Sequence, residues 1–286
     1  MKIEEKRTKI ALKRFSGILA FFGMLGLTSA ADLTFFDADF NGTSVADVGD
    51  GTYGAQITAA NLNAGTPTGT WTINAAQAAP ANKIVKMIQT DGGTDVLEKA
   101  LRFGISIDGT TGVDSPTLTA NLTSSLGLSA PITVSLDYAS AAGDGKATDL
   151  RRCYLTGLDG SGNRAFQLAF VNTSTSNSSN DGHRVGYVDS NGVLQLLGAA
   201  GDLGGNNGRA WASSLMKTVT IVVGATSYDI SLDSTSLATG IAFRDASASG
   251  LDSLAVSTST KWTGGYIDNL VVTQASPAVG TMIIIK

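Results

Sequence analysis

Arg152-Cys153-Tyr154-Leu155-Thr156-Gly157-Leu158, followed by Asp159-Gly160-Ser161-Gly162-Asn163-Arg164 and then Ala165-Phe166-Gln167-Leu168-Ala169-Phe170-Val171, is the stretch on which the fold turns. Two runs rich in apolar and aromatic residues are separated by a short segment of Gly, Asp, Ser and Asn. Such residues tolerate positive φ, and they stand where the chain must reverse, so the stretch predicts a β-hairpin. Asp159-x-Ser161-x-Asn163 has the spacing of a calcium loop, but the closing carboxylate of such a loop is missing, so the segment reads as a turn. Val188-Asp189-Ser190-Asn191-Gly192-Val193 repeats the signal between two further apolar runs.

The same text extends in both directions. Sixteen candidate strands run from Leu33–Phe40 to Tyr266–Thr273, among them Gln56–Asn61, Gly69–Ile73 and Gly240–Arg244, with turn residues every ten positions or so. So many short strands overfill a small barrel but suit two stacked sheets, which predicts an all-β, two-sheet antiparallel β-sandwich over residues 31–275. Asn172–Asp181 and Gly198–Gly208 carry little apolar content and read as surface loops. A short tail, 276–286, follows Ala275, and its apolar stretch is too short to cross a membrane.

Residues 1–30 are read apart from the fold. Lys2, Lys6, Arg7, Lys9, Lys13 and Arg14 precede an apolar run from Gly17 to Leu27, which ends in Thr28-Ser29-Ala30-Ala31. That is the pattern of a secretory signal peptide cleaved after Ala30, and the run is shorter than the ~20 residues a membrane span requires. The expected location is therefore secreted, periplasmic or at the cell surface, with no transmembrane helix in the mature chain. Setting aside that leader, with its six basic and two acidic side chains, leaves 14 basic and 22 acidic ones and a net charge of −8. With Arg151-Arg152 as the only basic pair, nucleic acid is not an expected partner. Cys153 is the lone cysteine, so no intrachain disulfide forms and stability rests on packing, with Cys153 itself read as a small core hydrophobe.

The two ends of the mature chain carry a family resemblance. Leu33-Thr34-Phe35-Phe36-Asp37-Ala38-Asp39-Phe40-Asn41-Gly42 and Gly265-Tyr266-Ile267-Asp268-Asn269-Leu270-Val271-Val272 resemble the first and last strands of laminin-G-like, concanavalin-A-like jelly rolls in exported bacterial proteins. The construction is similar to that of bacterial surface proteins bearing a PEP-CTERM sorting tail. The segment Ser276–Lys286 lacks that tail, so secretion without a lasting anchor is the expectation. The resemblance implies paired terminal strands and a structural calcium ion between them. By alternation Asp37 and Asp39 share one face of the first strand, and with Asp268 they are the candidate ligands.

Chemistry is constrained by inventory. The mature chain holds one glutamate, Glu98, and one histidine, His183. A jelly-roll glycosidase of the laminarinase type uses two glutamates, one attacking and one donating a proton, and one residue cannot do both. No G-x-S-x-G elbow or P-loop is present, and no G-x-G-x-x-G opens a helix after a strand. On this basis the domain is expected not to be an enzyme. Binding to a polysaccharide or another cell-surface component is the leading expectation, a structural or adhesive envelope role the second, and a glycoside-active enzyme the third. Aromatic platforms stack on sugar rings, and Tyr53, Trp211 and Trp262, all in loop text, are the candidates; Trp71, alternating with threonines, is read as core.

Overall fold

The computed structural model describes residues 31–39, 59–73, 85–89, 99–104, 117–141, 151–172, 183–198, 201, 203, 216–258 and 264–276. Their strands lie in one compact unit, Asp32–Ala275; a second grouping, Met1–Ala31 with Ser276–Lys286, falls almost wholly outside the described residues. The leader read over 1–30 is outside them, as are most of the two long loops and the apolar end of the tail. Among the described residues no helix is long and apolar enough to cross a membrane.

The chain is a two-sheet antiparallel β-sandwich of jelly-roll type. Its strands are β1 Leu33–Ala38, β2 Thr70–Ile73, β3 Val85–Gln89, β4 Lys99–Gly104, β5 Thr117–Gly127, β6 Ile132–Ala141, β7 Arg151–Leu158 and β8 Arg164–Asn172. They continue with β9 His183–Val188, β10 Leu194–Leu196, β11 Lys217–Val223, β12 Ser227–Leu232, β13 Thr235–Ala242, β14 Gly250–Thr258 and β15 Gly264–Gln274. Sheet A runs β13-β12-β11-β6-β15-β4-β3, with β1 also on β15; sheet B runs β10-β9-β8-β7-β14-β5-β2. Alternation sorts each strand into a core face and an outer face. Ile132, Val134, Leu136 and Tyr138 of β6 turn inward against Cys153 and Leu155 of β7 and Leu168 and Phe170 of β8, all at most 3 % exposed. Tyr138 stacks on Phe170 with ring centroids 3.7 Å apart, and Phe166 meets Tyr228 at 5.9 Å, which ties the sheets together at two levels.

Both predicted hairpins form, and by the same device. In the β7–β8 turn, the Asp159 N–H donates to Asn163 O and Gly162 N–H to Asp159 O, each 2.9 Å; in the β9–β10 turn Asp189, Val193 and Gly192 repeat this at the same distances. Each aspartate also takes backbone N–H groups on Oδ1, from Ser161 and Asn163 in one turn and from Asn191 and Val193 in the other, all at 2.9 Å. Gly162 and Gly192 occupy φ 82° and 83°, which only glycine adopts cheaply. Segment 243–249 fastens the two turns. Arg164 and Asp245 form a bidentate pair at 2.8 and 2.9 Å, Arg244 donates to Ser190 O at 3.1 Å, and Ser249 N–H donates to Asp159 Oδ2 at 3.1 Å.

The terminal strands pair, with Asp37 opposite Val271 and Ala38 opposite Leu270. β15 is flanked by β6 on one side, while β4 and β1 share the other in succession. A bulge marks the changeover. Asn269 sits at φ 48°, its N–H donates to Asp268 Oδ1 at 2.9 Å and its side-chain amide donates to Asp137 Oδ2 at 2.9 Å. The Asp-Asn pair of the closing motif is thus a backbone device that lets one long strand serve two partners.

Two expectations need correction. Gln56–Asn61 was expected to be a strand, but its described part opens a helix, α1 Ala59–Ala64. Alanines favour that conformation, it buries Leu62 completely, and it sets Asn63 to accept the Trp71 N–H on Oδ1 at 2.5 Å. The strand expected at Gly240–Arg244 lies instead at Thr235–Ala242, because pairing with β12 recruits the polar Thr235-Ser236 that alternation of apolar residues passes over. Cys153 is buried in the core as expected; burial pushes its thiol up to about 12, against the pull of a hydrogen bond with Tyr138, so it stays protonated and unreactive.

Candidate ligand-binding face

The polar side chains that the core does not use collect on the outer face of sheet B. Since Cys153, Leu155 and Gly157 point inward, Arg152, Tyr154 and Thr156 of β7 point outward. Strand register then adds neighbours. Thr156 lies opposite Gln167 of β8, Tyr154 opposite Ala169, and Arg152 opposite Val171, which itself faces Arg184 of β9. Gln167 Nε2 reaches Thr156 Oγ1 at 3.5 Å, and Arg152 Nη1 reaches Tyr154 Oη at 3.4 Å, both long contacts. On the other flank the face continues through Ala255 and Ser257 of β14 to Thr119 and Thr72.

The middle of this face is shielded from water. Thr156 is 6 % exposed, Val171 1 % and Ala169 fully buried although all three point away from the core, whereas Thr72 at the sheet edge is exposed. The small residues there are covered by the longer side chains around them: Ala169 and Gly186 lie side by side, and a Cβ on Gly186 would come within 2.6 Å of Gln195 O. A face bearing a guanidinium, a phenol, a hydroxyl and an amide suits a ligand rich in hydroxyl oxygens.

The outer face of sheet A carries more carboxylates. Asp37, Asp137 and Asp229 stand on it: Asp137 accepts from Thr218 Oγ1 at 2.6 Å and Asp229 from Gly240 N–H at 2.7 Å, and in the adjoining turn Asp233 accepts from Lys217 Nζ at 2.7 Å. Among the described residues of the outer face of sheet B, Asp252 of β14 is a carboxylate, and it accepts from Ser125 Oγ. The turns add no free acid either. Burial pushes the Asp159 carboxyl up, but hydrogen bonds from Asn163, Ser249 and Ser161 outweigh it and hold it down at about 2. Val193 and Gln195 hold Asp189 below the usual carboxylate range, and Arg164 does the same for Asp245.

The residues singled out from sequence are placed differently. Tyr53, Trp211, Trp262 and Glu98 lie outside the described residues. Trp71 is core, 1 % exposed. Asp37 and Asp39 stand at the end of β1; Asp268 is 5 % exposed beside the β15 bulge, in register with Asp137. Among the described residues no three His, Cys, Asp or Glu side chains gather as a metal would require. His183 is the first residue of β9, opposite Asn172. The Arg152, Tyr154, Thr156, Gln167 and Arg184 group was missed, although a signal existed: Arg152-x-Tyr154-x-Thr156 alternates with core residues across a short turn from Gln167.

No family model matches the chain, and no curated protein matches it. Its likeness to solved structures is one of fold. The T. cruzi calreticulin globular domain is similar at 12 % identity and a TM-score of 0.43 over 84 % of this chain and 88 % of that one. Alginate lyase AlyC3 is similar at 10 % identity and 0.39 over 71 % and 96 %, and a sialidase at 8 % and 0.38 over 66 % of this chain. The chain spans only 17 % of that sialidase. Two of these three are enzymes, which corrects the expectation that the domain is not one. The missing glutamate partner for Glu98 speaks only to one hydrolytic mechanism; elimination, for example, needs a single proton acceptor and no such pair. The likenesses themselves assign this chain no reaction.

Proposed function

We propose that the chain is exported and binds a glycan on the outer face of sheet B, with Arg152, Tyr154, Thr156, Gln167 and Arg184 as its contacts. The observation that carries this reading is the clustering of polar side chains by strand register. Polar side chains of four chemical types converge on a part of a sheet face where Thr156 is only 6 % exposed and Ala169 wholly buried. Sugars offer hydroxyls to such donors and acceptors and an apolar ring face to Tyr154. The leader-like composition of residues 1–30 supports export into a compartment where polysaccharides are met.

Affinity electrophoresis of the chain through polysaccharide-containing gels tests the reading. Thr156→Val combined with Gln167→Leu is expected to weaken retention at least tenfold with the melting temperature nearly kept, while Trp211→Ala and Trp262→Ala change it little. Retention lost in the tryptophan variants but kept in the strand variants would move the site to the loops. An absence of retention on any polysaccharide would favour a structural or adhesive envelope role.

A further inference from the structure

We infer that Asn191 is a covalent modification site, its side-chain amide lost by cyclisation onto Gly192 at a rate set by the opening of the β9–β10 turn. This site is independent of the proposed glycan-binding face. Asn191 is followed by glycine, which has no Cβ to hinder its backbone nitrogen, and both residues are exposed at the tip of the turn. Water is the only co-reactant. The Gly192 nitrogen bonds to Asn191 Cγ and gives up its proton, the Cγ–Nδ2 bond breaks, and the amide nitrogen leaves as ammonia. Water then opens the cyclic imide at one or other carbonyl, to isoaspartate or aspartate.

The turn sets the rate because the attacking nitrogen is engaged in the folded hairpin. Gly192 N–H donates to Asp189 O at 2.9 Å. Asp189 also holds the tip through its carboxylate, which accepts from Asn191 N–H and Val193 N–H on Oδ1 and from Gln195 Nε2 on Oδ2, each at 2.9 Å. Arg244 adds a bond to Ser190 O at 3.1 Å. Cyclisation therefore waits for the tip to open. That opening is local, since β10 is three residues long and stands at the edge of sheet B, and short edge elements open far more cheaply than the whole fold. The β7–β8 turn provides the contrast. Asp159 also precedes a glycine, but it is 5 % exposed and its carboxylate is fastened by Ser161, Asn163 and Ser249, so burial and bonding both oppose the equivalent ring closure.

The test incubates the intact chain and a synthetic peptide of residues 187–196 side by side in one neutral buffer, and follows the amide-to-acid mass change at Asn191 by mass spectrometry. The tryptic peptide 185–209 also holds Asn207-Gly208, so fragment ions are used to place the change. Asn191 in the chain should convert, at least tenfold more slowly than in the peptide, the difference being the cost of opening the turn. Asp189→Ala, which removes the acceptor for Asn191 and Val193 N–H, should bring the chain's rate most of the way to that of the peptide. Arg244→Gln should raise it by a smaller factor, and it carries the test if circular dichroism shows the Asp189 variant unfolded. Equal rates in chain and peptide would overturn control by the turn, as would folded variants that convert no faster than wild type. Chains that keep the Asn191 amide in wild type and both variants after the peptide has fully converted would overturn the site itself.

Discussion

Trp71→Ala is expected to destabilise the sandwich by about 3–5 kcal/mol, the range found when a fully buried large aromatic is truncated. Trp71 is 1 % exposed and meets Phe36 of β1 edge-on, with ring centroids 5.3 Å apart and planes at 84°. It is the one wholly buried residue of a four-residue edge strand, and both its backbone groups are held by Asn63 of α1: Trp71 N–H donates to Oδ1 at 2.5 Å and Nδ2 donates to Trp71 O at 3.3 Å. Trp71 therefore joins three elements: its ring packs on β1 and its backbone ties β2 to α1. Truncation leaves a cavity where sheet A meets the edge of sheet B, and the strand is too short to collapse into it. Trp71→Phe keeps most of the contact with Phe36 and should cost less than half as much. Equilibrium denaturation in urea measures both, and a loss under about 1 kcal/mol for the alanine variant would contradict this packing.

Acid should unfold the protein through its turns. Asp159 is 5 % exposed and its carboxylate accepts from Ser161, Asn163 and Ser249, so its pKa falls from 3.8 to about 2 on folding. A depressed folded-state pKa gives stabilisation that is complete above the unfolded value, near pH 4, and is lost as pH falls through about 2. The shift corresponds to roughly 2 kcal/mol, at about 1.4 kcal/mol per unit. Asp245, lowered chiefly by its hydrogen bonds with Arg164, and Asp189 act in the same direction. Asp159→Asn removes the charge and turns an amide toward donors that need an acceptor, so it should be clearly destabilising at pH 7. The gap between wild type and variant should narrow by about 2 kcal/mol between pH 5 and pH 2 in urea titrations. A gap that does not change with pH would show that the Asp159 charge plays no part.

What could be read in the sequence is what local chemistry decides. Both hairpins were legible because Asp159 and Asp189 bond to their own turns and Gly162 and Gly192 supply the positive φ, all within five residues. The pairing of the first and last strands was legible only through resemblance, since nothing local joins Asp37 to Val271. Helix α1 was misread because Gln56–Asn61 alternates acceptably as a strand, and what decides against it is tertiary: Leu62 in the core and Asn63 bonded to Trp71. The proposed binding face was missed for a related reason. Alternation can say that Thr156 and Arg152 point away from the core, but which polar groups stand beside them depends on Gln167, Ala169 and Arg184, which register brings there from other strands. Loop aromatics drew attention instead because their exposure can be guessed from the sequence one residue at a time.

The outer face of sheet B is the predicted place for a ligand. Backbone chemical-shift mapping of the 29.2 kDa chain, titrated with the shortest oligosaccharide it retains, tests this most directly. The predicted result is a contiguous set of shifts in β7, β8 and β9 that includes Arg152, Thr156, Gln167 and Arg184 and leaves the outer strands β11 and β12 of sheet A unmoved. Shifts confined to the neighbourhoods of Tyr53, Trp211 and Trp262, with β7 to β9 unchanged, would contradict it.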